Sequence, residues 1–239
     1  MTTHPVWIIA KRELASYFDS LVAYILLIAF LAFTGLFTWL YGSDIFFRKQ
    51  ADLLVFFNIS YWTLFFFIPA LTMRQLAEEK KTGTIELLLT KDVTDLQVIL
   101  GKFLSCLLMV SIALAFTLVY YITVSRIGDI DHGATLCGYF GLFLMSAAYI
   151  SIGLLASSLT NNQVVAFLLA LLIGICFHFV FGFLASSIAG WQGELLAGLS
   201  LQTHYDSISR GVIDTKDLVY FASIIVLGLS LAAQVIAKR

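Results

Sequence analysis

Six long apolar stretches divide the chain, and polar segments separate them. A transmembrane helix needs about 20 apolar residues to cross the hydrocarbon core of a bilayer, and every stretch reaches that length. The strands of a membrane β-barrel have about ten residues and alternate apolar with polar positions, which these stretches do not. The pattern predicts an all-α integral membrane protein with six transmembrane helices. The predicted spans cover residues 21–41, 53–73, 103–125, 134–159, 163–185 and 218–237.

Composition supports this prediction and limits the number of domains. Hydrophobic residues make up 60% of the 239 residues and charged residues 12%, whereas soluble domains average about 25% charged residues. Six spans leave no room for a second soluble domain, so we expect one transmembrane domain over residues 1–239. The net charge of -1 and the lack of a basic patch give no basis for nucleic-acid binding.

The distribution of lysine and arginine predicts the orientation. Short cytoplasmic loops carry an excess of these residues. With the N-terminus inside, nine of the 14 basic residues are cytoplasmic and five are outside. The N-terminus and the C-terminus are therefore both predicted to be cytoplasmic.

Residues 5–19 precede the first span and show helical periodicity. Apolar residues recur on one face, polar residues occupy the other, and Pro5 suits a first helical turn. This pattern predicts an amphipathic helix in the membrane interface. The alternative is a polar-flanked start of the first span. The apolar positions are Trp7, Ala10, Leu14, Tyr17, Phe18 and Leu21.

A charged segment, residues 74–102, lies between the second and third spans and holds 10 of the 29 acidic and basic residues. Gly83 interrupts its polar first half. After it, Ile85, Leu88 and Leu89 share one helical face while Glu86 points away, which predicts a short amphipathic helix. The segment would project into the cytoplasm as a contact surface. The alternative is a solvated hairpin.

The second half of the charged segment has its own helix start. Thr94 and Gln97 have the spacing of a capping box, and apolar residues then continue into the third span. The segment is therefore predicted to be two short helices joined by residues 91–93.

The second long connection, residues 186–217, is predicted to be an outer loop. Its last Asp and Thr residues are suitable caps for the sixth span. Residues 186–200 are too apolar for a free loop and are expected to fold back toward the membrane.

Catalytic chemistry is not visible in the sequence. The six predicted spans contain no Asp, Glu, Lys or Arg, which disfavours an ion relay, and His178 is interpreted as a packed or pore-facing polar residue. No phosphate-binding G-x-x-x-x-G-K-[ST] or hydrolase motif occurs. Cys106, Cys137 and Cys176 are expected to be buried apolar residues. We therefore expect a non-enzyme without catalytic, cofactor-binding or metal-binding residues, to which another chain supplies energy.

Residues 78–90 read EEKKTGTIELLLT, and this run resembles the segment after the second span in ABC-2 type transporter permeases. The Gly-Lys-Phe start of the third span is similar as well. The resemblance implies a cytoplasmic coupling helix that docks on an ABC ATPase subunit. The implied ATPase-coupling interface consists of Glu78, Glu79, Lys80, Lys81, Gly83, Thr84, Ile85, Glu86, Leu88 and Leu89.

A second run, residues 204–214, resembles the outer motif that precedes the last span of the same family. It reads HYDSISRGVID. The resemblance implies a structural motif formed by His204, Arg210, Gly211 and Asp214.

Within the family, residues 68–74 (IPALTMR) and 159–163 (LTNNQ) look most like the gliding-motility-associated permeases called GldF-like. That resemblance implies a separate GldA-like ATPase, which binds ATP and Mg²⁺, and a second, GldG-like permease subunit or a second copy of this chain. It also implies the bacterial inner membrane. The alternatives are an ABC-2 exporter of a drug, a lipid-linked or a metal-related substrate, or a non-transporting membrane scaffold driven by the same ATPase.

Overall fold

The computed structural model describes residues 5–41, 50–84, 93–188 and 190–238, and no β-strand occurs in these ranges. The all-α prediction is confirmed. The helices are α1 (Pro5–Asp19), α2 (Leu21–Trp39), α3 (Leu54–Thr72), α4 (Arg74–Thr82), α5 (Asp95–Ile127), α6 (His132–Leu159), α7 (Gln163–Ile175), a π-helical segment (Cys176–Val180), α8 (Phe181–Ser187), α9 (Trp191–Ala197), α10 (Leu201–Ser209) and α11 (Thr215–Ala237).

Within the described ranges, six helical stretches are long and apolar enough to cross a membrane, as predicted. The second joins α3 to α4, and the fifth runs from α7 through the π-helical segment into α8. Their bounds are Leu21–Trp39, Leu54–Thr82, Asp95–Ile127, His132–Leu159, Gln163–Ser187 and Thr215–Ala237. We call the end of this bundle that carries α4 the inner end and the opposite end the outer end.

The second and third spans extend further at the inner end than predicted. Met73 keeps helical backbone angles, so α3 continues into α4 with only a local change of direction. The predicted capping box is present: Thr94 Oγ1 accepts from the Gln97 N–H at 3.3 Å, and Gln97 Oε1 accepts from the Thr94 N–H at 3.0 Å. The helix that it starts is not separate, because α5 runs without interruption to Ile127.

Helix α6 is the centre of the bundle and packs against α3, α5, α7, α10 and α11. Small residues along it let its neighbours approach closely, as is usual between helices in membranes. A Cβ on Gly153 would lie 2.1 Å from Thr72 Oγ1 of α3. In the other direction, a Cβ on Gly228 of α11 would lie 2.7 Å from Ser151 Oγ of α6.

The outer connection was wrongly predicted as a loop, since α9 and α10 lie within residues 186–217. Helix α10 buries Leu201, Tyr205 and Ile208 on one face, and it packs against α6. That burial explains the helix, because an amphipathic segment gains stability by covering apolar surface. Helix α9 packs against α8, so residues after the fifth span do return to the bundle.

The absence of charge from the predicted spans does not extend to the observed helices. Lys102 on α5 and Asp217 on α11 are both only 1% exposed. Each lies in the first turns of its helix, outside the range predicted for that span. Buried charge therefore occurs at both ends of the bundle, and each case involves a specific partner.

Candidate functional site

The charged segment between the second and third spans is described in two parts, residues 74–84 and 93–102. The predicted coupling helix at residues 84–89 falls largely outside the described residues. Ile85, Glu86, Leu88 and Leu89 are therefore not placed, and their role stays a prediction. The described parts show how the two stems of the segment are mounted on the bundle.

Helix α4 is attached to α6 through Ser157. The Ser157 Oγ accepts hydrogen bonds from the backbone N–H groups of Leu76 at 3.1 Å and Ala77 at 3.0 Å. Its hydroxyl donates to the carbonyl oxygen of Met73 at 3.0 Å. Leu76 and Ala77 are fully buried. One side chain therefore satisfies three backbone groups at the bend between α3 and α4, and the start of α4 is fixed.

A buried lysine joins three helices at the inner end. Lys102 of α5 lies with Nζ 2.7 Å from Glu79 Oε1 of α4 and 3.5 Å from Glu13 Oε2 of α1. The side chains of Glu79 and Glu13 are 18% and 14% exposed. We call Glu13, Glu79 and Lys102 the inner ionic cluster. It turns Glu79 toward the bundle, away from any docking surface.

Helix α1 packs tightly on α5 beside this cluster. A Cβ on Gly101 would lie 2.6 Å from Ile9 Cγ2, so only glycine permits the observed approach. Further along α1, the Tyr17 hydroxyl donates to the carbonyl oxygen of Leu71 at 2.9 Å and receives a hydrogen bond from Gln75 Nε2 at 2.5 Å. Residues 5–19 are thus bound to the second and third spans.

The other charged side chains of α4 lie nearer the surface. Arg74 donates through Nε and Nη2 to the two carboxylate oxygens of Glu78, at 2.9 and 3.2 Å. The Lys80 ammonium donates to the Ser158 carbonyl oxygen of α6. Lys81 is exposed. Of the predicted interface residues, Glu79 and Lys80 face the bundle, whereas Glu78 and Lys81 face outward.

The end of α4 presents an exposed turn. Gly83 has φ +72°, a left-handed conformation that glycine adopts without strain and that commonly ends a helix. Thr84 follows, and its hydroxyl lies 2.9 Å from that of Thr82. A cleft of about 460 Å³ opens between α1 and α4 at this point. Its walls include Arg12, Ser16, Arg74, Glu78, Thr82 and Thr84.

The outer end carries a second polar arrangement around His204. Its Nδ1 lies 2.6 Å from Asp217 Oδ1, its Nε2 lies 3.0 Å from the Gly198 carbonyl oxygen, and its ring stacks on Tyr220 at 3.9 Å. The Tyr220 hydroxyl donates to the Leu199 carbonyl oxygen at 2.6 Å. His204 therefore connects α10 to the start of α11 and to the end of α9.

The remaining residues of the outer motif shape the turn between α10 and α11. Arg210 Nε donates to the Asp206 carbonyl oxygen at 2.9 Å, so this side chain caps the end of α10. Gly211 has φ +90°. Asp214 caps α11 by accepting from the Lys216 N–H at 3.2 Å, and that hydrogen bond lowers the pKa of its carboxyl group. All four residues have structural contacts within the chain.

The family model for ABC-2 family transporter proteins matches residues 47–201, which is more than half of the chain. The chain belongs to the ABC-2 transporter family. A comparison with curated proteins gives no match. The matched range contains the whole charged segment and the second to fifth spans, and it ends before His204. An ABC-2 permease is a multi-pass membrane subunit that works with an ABC ATPase subunit, and it is generally not catalytic itself.

The polar residues that organise the inner end of this permease were not recognised from sequence. Lys102 was noted as a basic residue before the third span and as part of the Gly-Lys-Phe run, and Glu13 and Ser157 were not singled out. A signal for Glu13 exists, because it lies four residues after Ile9 and four before Tyr17, on the buried face of α1. No comparable signal marks Ser157, which is one of several serines on α6.

His178 is a buried residue of the permease. It lies in the π-helical segment, its Nδ1 shares a hydrogen bond with the Tyr149 hydroxyl, and its ring stacks on Tyr61 at 4.1 Å. Its Nε2 makes no hydrogen bond to the described residues. The ring is enclosed by aromatic side chains and is 1% exposed, as expected for a packed polar residue. Across the described part of the chain, no group of three or more His, Cys, Asp and Glu residues could hold a metal ion.

Proposed function

We propose that this permease couples ATP hydrolysis by a separate, GldA-like ATPase subunit to export or mechanical change across the bacterial inner membrane, as part of a gliding-motility-associated complex. The observation that carries the proposal is the anchoring of the two stems that flank residues 85–92 in sequence. Helix α4 precedes them, the start of α5 follows them, and both stems are held by buried contacts. A load applied to the segment between them would therefore reach the spans.

The docking surface follows from which side chains face outward. Lys81, Gly83 and Thr84 are exposed, and Glu78 is partly exposed, at the end of α4. We propose that they contact the ATPase together with Ile85, Glu86, Leu88 and Leu89. Glu79 and Lys80 hold α4 against the bundle and support the surface from behind. ATP and Mg²⁺ bind the ATPase subunit and not this chain.

The fifth span supports the proposal of a second permease subunit, either GldG-like or a second copy. Its exposed side, which faces away from the bundle, carries a row of large apolar residues. Among them are Leu168, Leu172 and Phe179, which are 57%, 62% and 54% exposed. Such a face is suited to lipid or to another membrane helix. The gliding-motility assignment itself is supported by the similarity of residues 68–74 and 159–163.

Co-purification with the ATPase tests the docking surface. Glu86→Lys should weaken binding, since loss of a desolvated charge contact costs about 2 to 5 kcal/mol. Gly83→Pro should weaken it as well, because proline cannot adopt the observed φ of +72°. Glu194→Lys at the exposed outer end is the matched charge reversal and should leave binding unchanged. Full binding of both inner variants would contradict the proposal.

Two further measurements separate the functional alternatives. Deletion of the gene in a gliding host should abolish surface motility, and the unaltered gene should restore it. Motility that survives deletion would contradict the gliding assignment and leave the ATPase coupling in place. Solute flux in proteoliposomes that contain the whole complex then distinguishes export from a purely mechanical role.

A further inference from the structure

The inner ionic cluster contains one lysine and two glutamates from three different helices. Lys102 belongs to α5, Glu79 to α4 and Glu13 to α1, and the lysine is 1% exposed. The cluster lies close to Thr84 at the end of α4. The Thr84 hydroxyl approaches the Glu79 carbonyl oxygen at 3.5 Å. Glu79, which pairs with Lys102, therefore also contacts the first residue of the predicted coupling helix.

Stability alone does not explain this arrangement. Burying an ammonium group carries a large desolvation cost, and a well-packed apolar side chain of similar volume is often at least as stabilising. Within the cluster one lysine faces two carboxylates, and Arg12 pairs with Glu13 from outside it. Glu79 Oε2 is buried and has no hydrogen-bond partner among the described residues. An unpaired buried polar group is costly in a low-dielectric interior, so a movement that gives this oxygen a partner would be favoured.

The two lysine contacts differ in length in a way that suits transmission. The contact to Glu79 measures 2.7 Å, which is a full hydrogen bond, whereas the contact to Glu13 measures 3.5 Å. A small movement of α4 would carry Lys102 with it and change its distance to Glu13. Glu13 is also held from outside by Arg12, at 2.7 Å, so α1 has an alternative ionic partner when the longer contact changes.

We propose that the inner ionic cluster transmits displacement of α4 to α1. Lys102 and Glu13 are positioning residues for the ATPase-driven step, and neither contacts the ATPase or a transported molecule. The inference rests on the proposed ATPase coupling and extends it to a helix outside the residues matched by the family model. It assigns to α1 a part in the conformational cycle, in addition to anchoring the permease at the membrane surface.

The test uses the intact permease–ATPase complex in nanodiscs and measures hydrogen–deuterium exchange with and without ATP plus vanadate. In the unaltered complex, nucleotide should change the exchange of both α4 and α1. Glu13→Gln leaves the Lys102–Glu79 pair intact, so the response of α4 should persist while the response of α1 is lost. Asp19→Asn removes an exposed carboxylate from α1 without touching the cluster, and it should keep both responses.

A purely structural role predicts a different outcome, in which Glu13→Gln raises the exchange of α1 equally in both nucleotide states and preserves its response. That result would overturn the inference, as would an unaltered complex in which α4 responds and α1 does not. Loss of the α1 response in Asp19→Asn would also overturn it. If the unaltered permease does not bind the ATPase at all, it is the proposed function that fails, and the co-purification step shows this before exchange is measured.

Discussion

The inner and outer ends of the bundle both bury a charged contact between helices, but the two contacts are built differently. At the outer end, Asp217 and His204 lie 2.6 Å apart, and the histidine uses its second nitrogen and its ring face on neighbours of the same region. At the inner end, Lys102 divides its charge between Glu79 and Glu13, and one carboxylate oxygen has no described partner. Asp217 Oδ2 at the outer end likewise has no described partner, so the two contacts differ in their pairing and not in their satisfaction. One carboxylate holds the outer histidine, whereas the inner lysine lies between two carboxylates and can shift between them.

The neighbourhoods of the two contacts differ in the same sense. The outer contact lies within a run of short helices and ends in a capped turn at Asp214. The inner contact lies close to the exposed turn at Gly83 and Thr84, since the Thr84 hydroxyl approaches the Glu79 carbonyl oxygen at 3.5 Å. A polar segment between membrane spans can therefore either fix a junction between helices or present a contact surface to a partner. In this chain the pairing of the buried charges differs between the two cases.

The largest expected effect tests the inner contact. Lys102→Met leaves the largely buried Glu79 carboxylate without its cation, and removing one partner of a buried ion pair typically costs about 3 to 5 kcal/mol. The midpoint of thermal unfolding in detergent should fall markedly. Lys216→Met removes an exposed ion pair at 3.3 Å and is the matched control. Equal midpoints for the two variants would show that the inner cluster contributes nothing to stability.

A second substitution tests the outer contact. His204→Phe keeps the aromatic stack on Tyr220 but leaves Asp217 buried without its partner, and loss of a hydrogen bond to a charged group costs about 1.5 to 3 kcal/mol. We expect a lower unfolding midpoint with unchanged ATPase binding. Reduced ATPase binding in this variant would break the comparison, because it would make the outer junction part of the coupling route.

Close packing at the inner end gives a third prediction. Gly101→Ala forces a Cβ to within 2.6 Å of Ile9, and overpacking of this kind costs about 1 to 3 kcal/mol. Exchange of α1 should rise while that of α6 is unaffected. Gly133→Ala is the control, since its Cβ would have only an ordinary contact at 3.4 Å with Asp131. Unaltered exchange of α1 would mean that α1 adjusts to the extra methyl group.

The smallest effect concerns the second stem of the charged segment, residues 93–102. Thr94→Ala removes the capping box of α5, and loss of an N-cap costs about 1 kcal/mol. Amide exchange should increase in the first turn of α5, around Gln97, without a change in the remaining span. An increase that extends to Lys102 would indicate that the cap also supports the inner ionic cluster.

Much of the architecture could be predicted because it depends on neighbours in sequence. The six spans follow from runs of apolar residues, and the cap at Thr94 follows from a spacing of three residues. The helices in residues 186–217 were not predicted, because α10 owes its stability to burial of Leu201, Tyr205 and Ile208 against α6. Periodicity alone did not distinguish this segment from an apolar loop.

The predicted coupling surface shows the same limit at the level of single residues. Glu78 and Glu79 are adjacent and chemically alike, yet one pairs with Arg74 on its own helix and the other with buried Lys102. Their difference depends on which face of α4 meets the bundle. Helix α6 determines that face through Ser157, a residue far along the chain from both.

The sequence by itself determined the number of spans, the all-helical class, the position of the charged segment and its likeness to a coupling segment. These properties depend on local composition and short motifs. Only the tertiary structure decided that Lys102 is a buried junction and not another flanking charge. Its partners lie 23 and 89 positions away in sequence, at Glu79 and Glu13, and they meet it because Gly101 lets α1 lie directly against α5.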